Sequence, residues 1–97
     1  MDNCLRLLGL IYRAKKLYLG EDVLNNLKDC QLLIIASDTS IKNKERYIKK
    51  SKYYQLKYVD KYDCESLSKA IGKNNIKLIG IKDKGFADSF LSKLKEG

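Results

Sequence analysis

A chain of 97 residues with 44% apolar content is long enough to bury one core without disulfides or a structural metal, and too apolar to be a disordered tail. Three scattered cysteines, Cys4, Cys30 and Cys64, with no CxxC pair and no histidine in the chain, argue against a disulfide framework or a zinc site and remove Ser-His and Cys-His catalysis. The net charge of +8, from 20 Lys and Arg against 12 Asp and Glu, favours a polyanionic partner, nucleic acid first, over a basic surface kept for solubility alone.

Residues 3 to 15 read as a helix, with Leu5, Leu8 and Tyr12 on one face and Leu7, Leu10, Ile11 and Ala14 widening it. The same stretch does not read as a secretory signal, because its apolar part is short and its basic residues mostly follow it. No apolar run approaches the ~20 residues of a membrane helix, so a cytoplasmic protein without a membrane partner is expected. Residues 17 to 19, LYL, form a short strand ending at Gly20, and a helix over 21 to 29 buries Val23, Leu24 and Leu27. QLLIIAS, 31 to 37, is a continuous apolar run of strand length, as in a strand covered on both faces.

The polar SDTS then leads into a helix capped by Ser40, with Ile41, Tyr47 and Ile48 as its inner edge. QLKYVD is a short strand with Leu56, Tyr58 and Val59. A helix follows over 63 to 71, capped by Asp63, with Leu67, Ala70 and Ile71 inside. GKNN, 72 to 75, breaks the chain, IKLIGIK, 76 to 82, is the last strand, and the closing helix buries Phe86, Phe90, Leu91 and Leu94. This alternation predicts one α/β domain over residues 1–97, a central sheet sandwiched by helices.

Charge is concentrated in residues 42 to 61, where eight basic residues face only Glu45 and Asp60. Tyr47, Tyr53, Tyr54 and Tyr58 lie among them. Such a segment either binds a backbone and stacks bases, or uses its tyrosines as amphipathic core-edge residues. The glycine-lysine pair of GKNN lacks the GxxxxGK[ST] context of a phosphate loop, and its plain reading is a helix C-cap at Gly72 followed by a turn. Glu21 and Asp22 at a helix start have a plain reading too, as complements to the helix dipole.

Five blocks in this order, LLGLIYRAKKLYLGEDV, LIIASDTS, KYYQLKYV, LSKAIGK and IGIKDKGFA, resemble the L-seven-Ae ribosomal protein family, above all its small bacterial YlxQ-type members. The resemblance runs from about Leu7 to Leu94. It implies a three-layer α-β-α sandwich whose central mixed sheet has about four strands. It further implies binding of kink-turn RNA, a duplex with a short bulge and tandem sheared G·A pairs, bent sharply at the bulge.

In that family a glycine, two polar residues and the start of a helix read the G·A pairs, and Gly20, Glu21 and Asp22 match them here. A loop after an LGKA-G block covers the bulged nucleotides, and Ile71, Gly72, Lys73, Asn74 and Asn75 match it. Asp38 stands where relatives carry an acidic pair after the apolar strand. Many relatives have a lysine one turn into the G·A-reading helix. Here Asn26 holds that position, with Lys28 two residues on, and the segment from Gly20 to Asp38 is somewhat shorter than in the relatives.

The chemistry suits the implied role. A helix start offers free amides and a positive dipole end, carboxylates accept hydrogen bonds from exocyclic amines of bases, and Gly20 lets the backbone approach closely. Lys15, Lys16, Lys42 and Lys73 are the expected phosphate contacts around the bend. The implied function is non-catalytic recognition of a bent helix-bulge element in structured RNA, ribosomal RNA or an mRNA leader, with the ribosome as a candidate partner. Binding would shift a population toward the bent form and needs no cofactor, metal or small-molecule substrate. Two readings of other classes stay open: a protein-interaction module presenting an exposed apolar patch, and the RNA-binding part of an RNA-modifying enzyme, for which no cofactor motif is visible.

Overall fold

The computed structural model describes residues 2–96. Asp2 caps the first helix, its Oδ1 accepting the Cys4 and Leu5 amides at 2.6 and 3.4 Å, and α1 runs Asn3–Arg13. Then follow β1 (Leu17–Leu19), α2 (Glu21–Asn25), a 3-10 turn (Leu27–Asp29), β2 (Leu32–Ile35) and α3 (Ile41–Tyr53). β3 (Lys57–Val59), α4 (Cys64–Ile71), β4 (Leu78–Ile81) and α5 (Lys84–Glu96) complete the chain. The four strands make one mixed sheet in the order β1-β4-β2-β3. β4 is antiparallel to both β1 and β2, whereas β2 and β3 are parallel.

Successive strand residues point to opposite faces, and both faces are covered. Leu32, Ile34, Ile79 and Ile81 pack on one side with Leu8 and Ile11 of α1, Leu67 of α4 and Phe90 of α5. Leu33, Ile35 and Leu78 pack on the other with Val23 and Leu27, and with half-buried Tyr47 and Ile48 of α3 and Tyr54, its C-cap. β2 and β4 therefore bury every residue, which is why they read as unbroken apolar runs. Each such side chain contributes ~1.5–3 kcal/mol on leaving water. The architecture is the expected α-β-α sandwich. Among the described residues no helix is long and apolar enough to cross a membrane.

Several elements depart from their sequence reading. α1 stops at Arg13 rather than running to residue 15, because Lys15 turns to φ 61°. Leu10, expected on the inner face, is 52% exposed. The helix expected over 21 to 29 breaks at Asn26. There the backbone leaves the helical region at φ −134°, and the side-chain Nδ2 donates to Asp22 O at 2.8 Å. Asparagine competes with the helix through such local bonds, and the following 3-10 turn then buries Leu27. Ile41, placed on the inner edge of α3, is instead 79% exposed, because the first turn of that helix projects beyond the end of the sheet. Tyr47 and Ile48 are the residues that pack inward.

Three helices end in the same way. After α1, α3 and α4 the chain turns left-handed at Lys15, Gln55 and Gly72, with φ of 61°, 56° and 70°. In each case the next amide reaches back to a carbonyl five residues earlier: Lys16 to Ile11, Leu56 to Ser51 and Lys73 to Ser68. This is the Schellman closure, which glycine adopts without the Cβ penalty of other residues. Gln55→Gly is expected to raise stability by about 0.5–1 kcal/mol, the left-handed strain relieved less the added unfolded-state entropy, read as a higher midpoint in urea unfolding.

Candidate functional site

The end of the sheet at which β1, β2 and β3 leave is also the end at which β4 enters, and backbone bonds tie the emerging segments together. The Gly20 amide donates to Leu78 O at 2.9 Å, the Ala36 amide to Lys77 O at 2.9 Å, and the Ser37 amide to Tyr62 O at 2.8 Å. Asp38 extends the row, its Oδ1 accepting the Cys64 amide at the start of α4 at 2.9 Å. Tyr62 in turn donates its hydroxyl to Asp2 Oδ2 at 2.8 Å, anchoring the start of α1 at the same end. Burial, and then that bond, push the Tyr62 hydroxyl far above its ordinary range.

The loop after α4 is held by one side chain. Ser68, buried, accepts the Ile76 amide on Oγ at 2.8 Å, while its carbonyl accepts the Lys73 amide at 2.9 Å. Asn75 takes a left-handed conformation, φ 57°, which asparagine tolerates better than most residues. Between this loop and α4 runs an open groove of about 470 Å³ lined by Asp38, Cys64, Glu65, Ser68, Lys69, Lys73, Asn74 and Asn75. At its α4 end the Ser66 amide holds the Asp63 carboxyl below its usual range. At the other end Lys73 Nζ sits 5.8 Å from the centre of the Tyr12 ring.

Gly20 adopts φ 57°, ψ −127°, a region that only glycine enters without strain. Beyond Gly20 and its two chain neighbours, no atom among the described residues lies within 4 Å of where a Cβ would be, so backbone geometry rather than internal crowding calls for glycine, and the space above it is open. No side chain caps α2, and Glu21 and Asp22 in its first turn are exposed. α2 has only five residues, so its dipole is smaller than that of the nine-residue helix expected, and uncapped amides and carboxylates carry the local chemistry.

The sequence-derived candidates divide accordingly. Gly20, Glu21, Asp22, Asp38, Lys42, Asn74 and Asn75 belong to segments at this end of the sheet, and Gly72 and Lys73 to the loop that leads there. Ile71 is only 6% exposed and packs in the core, so the accessible part of the loop is Gly72 to Asn75. Asn26 spends its side-chain amide on Asp22 O. Lys15 and Lys16 lie at the opposite end of the sheet, where the Lys82 amide beyond β4 donates to Lys16 O at 2.9 Å. Two further exposed residues flank the site, Lys77 directly before β4 and Ile41 at the start of α3. A strand boundary set two residues later would have exposed Lys77 in the sequence, whereas nothing in the pattern separates Ile41 from a core residue.

Among the described residues one ion pair forms, Lys44 Nζ to Asp60 Oδ2 at 3.2 Å. Burial pushes the Cys30 thiol up to about 11 and also raises Cys4, so these two remain protonated, apolar packing groups at neutral pH.

No family model matches the chain. The Bacillus subtilis "RNA-binding protein YlxQ" is 31% identical over 91 residues, covering 91% of this chain and 91% of that protein. A solved Bacillus halodurans protein of unknown function is 31% identical, covers 98% of this chain and 99% of its own, and superposes with a TM-score of 0.89. The Giardia lamblia 15.5kD RNA binding protein shares the fold, with a TM-score of 0.78 over 95% of this chain and 82% of its own, at 16% identity. Identity of that level along nearly the whole length of both sequences makes this chain a member of the YlxQ family.

Proposed function

We propose that this protein is a non-catalytic, cytoplasmic RNA-binding protein that recognises kink-turn or similar bent helix-bulge elements in ribosomal or regulatory RNA, as a YlxQ-type branch of the L-seven-Ae family. The relative named RNA-binding supports the substrate class. The observation that carries the finer reading is the backbone row joining Gly20 to Leu78 and Lys77 to Ala36. It sets the entry to β4 beside the Gly20 corner, which supports a site shared by that corner and the loop leading into β4.

On this reading Glu21 and Asp22 accept hydrogen bonds from exocyclic amines of the G·A pairs, and Gly20 admits the sugar-phosphate backbone. Lys42, Lys73 and Lys77 contact phosphates, which fix register and orientation. Ile41, not Ile71, supplies the exposed apolar surface for an extruded base, since it is 79% against 6% exposed. Lys15 and Lys16, at the far end of the sheet, add to the attracting field without touching the bend. Asp38 is a positioning residue that binds the Cys64 amide and thereby sets α4 and its loop against the rim. The bent RNA is stabilised over the open form by differential affinity alone.

Titration of the protein with a blunt kink-turn RNA and with a straight duplex of equal length tests this directly: the kinked RNA binds tighter, and equal affinity overturns the reading. The Glu21→Ala, Asp22→Ala pair is expected to cost the kinked target ~1–3 kcal/mol for each base hydrogen-bonding partner removed while leaving the duplex unaffected. Tighter binding of both RNAs would mean that the carboxylates only repel phosphate. Ser68→Ala, which frees the Ile76 amide, is expected to speed its hydrogen exchange about tenfold, the kinetic image of removing one buried hydrogen bond, and to weaken kinked-RNA binding while the fold persists.

A further inference from the structure

The solvent face of α3 carries a stripe that shares Lys42 with the Gly20 rim and that neither the core nor the rim explains beyond that residue. Lys42, Arg46, Lys49, Lys50 and Tyr53 stand at positions i, i+4, i+7, i+8 and i+11, which fall on one side of a helix. All five are exposed, and among the described residues none of the four cations forms an ion pair. Tyr53 is 79% exposed. Its neighbour Tyr54 packs inward against the second core cluster and meets the Tyr53 ring edge-on, centroids 5.0 Å apart at 74°. One tyrosine, half-buried against the core, thus steadies another whose ring is left to solvent. Arg46, Lys49, Lys50 and the two tyrosines line an open groove of about 410 Å³, within the ~300–1,000 Å³ of small-ligand clefts.

We propose that this face is a second nucleic-acid site, which takes a single-stranded RNA segment with phosphates on Lys42, Arg46, Lys49 and Lys50 and one base stacked on Tyr53. A solvent-exposed aromatic ring beside unpaired cations is the elementary unit of single-strand binding: the cations track the backbone and any base offers the ring a π-face. The stripe is too poor in apolar residues to enter a membrane surface, since Tyr53 is its only apolar member. Its length, 11 residues at 1.5 Å each or ~16 Å, corresponds to about five stacked nucleotide steps of ~3.4 Å. It begins at Lys42 on the same rim as Gly20 and ends at the far end of the sheet, so a strand flanking an RNA held at the rim has a continuous track to follow. The site stands on α3 alone and does not require the rim to bind a kink-turn.

The test is a fluorescence-anisotropy titration of the whole protein with a labelled 12-nucleotide oligouridylate, beside the blunt kink-turn RNA, which has no single-stranded tail and no unpaired nucleotides beyond its short bulge. Tyr53→Ala is expected to weaken oligouridylate binding at least ~fivefold, Tyr53→Phe to restore it, and both to bind the blunt kink-turn as the parent protein does. Lys49→Gln, Lys50→Gln is expected to reduce the salt slope for oligouridylate by ~1.4, because two phosphates are no longer neutralised by the protein. The exposure of Tyr53 makes these variants safe for folding. The proposal is overturned if the parent protein does not bind oligouridylate, or if Tyr53→Ala binds it unchanged. The latter result, together with displacement by polyglutamate, identifies the face as a site for acidic protein. Loss of kink-turn preference with Tyr53-dependent oligouridylate binding intact would instead sink the rim reading and leave this one standing.

Discussion

The antiparallel seating of β4 between β1 and β2 is the constraint on which the rest of the molecule depends. Because β4 runs against both neighbours, the loop that enters it arrives at the end from which β1 and β2 depart. Gly20 and Ala36 consequently donate to two consecutive carbonyls, Leu78 and Lys77. A parallel β4 would deliver the Gly72–Asn75 loop to the other end of the sheet, some 10 Å away across a three-residue strand. The same seating buries β4 on both faces, so the element that positions the rim is also among the least able to move. Rigidity of that kind suits recognition by shape, where the ordering cost is met in folding rather than in binding.

Charge divides the surface into two kinds of work. Among the described residues Lys42, Arg46, Lys49 and Lys50 of α3 lie unpaired along a line, and fields of this sort act over roughly the Debye length, ~8 Å at physiological salt. They raise the local concentration of polyanion without choosing among sequences. The acidic pair Glu21 and Asp22 sits at an uncapped helix start where the backbone is open to approach. In the proposed function, carboxylates placed among so many lysines repel phosphate at a single spot and accept from base amines there. In the proposed function, selectivity arises from that contrast, with attraction everywhere and acceptance at one corner only.

Most of the fold was legible because its signals are local and strong. The run LLII marks a doubly covered strand, Asp63 and Ser40 cap the helices predicted for them, and Gly72 ends α4 as a glycine C-cap does. Misreadings arose where a residue type permits two environments. Ile41 carries the same apolar signal as a core isoleucine, and only the projection of the first turn of α3 beyond the sheet exposes it. Asn26 lies inside an apparently amphipathic stretch, and a single side-chain bond to Asp22 O is enough to convert the second half into a 3-10 turn. Of the candidate site, the family pattern singles out the corner and loop residues, whereas the placement of Lys15 and Lys16 at the far end of the sheet was not legible, since strand direction decides it. The tyrosines of the basic segment proved to be of both kinds: Tyr47 and Tyr54 edge the core and Tyr53 does not.

The most direct measurement of the central claim is amide chemical-shift mapping of the labelled protein during titration with a kink-turn RNA. The account predicts that Gly20, Glu21 and Asp22 shift together with Gly72 to Asn75, and that both groups saturate along one binding curve. Shifts confined to one of these segments, or two curves of different affinity for the two, would contradict a single rim built from both.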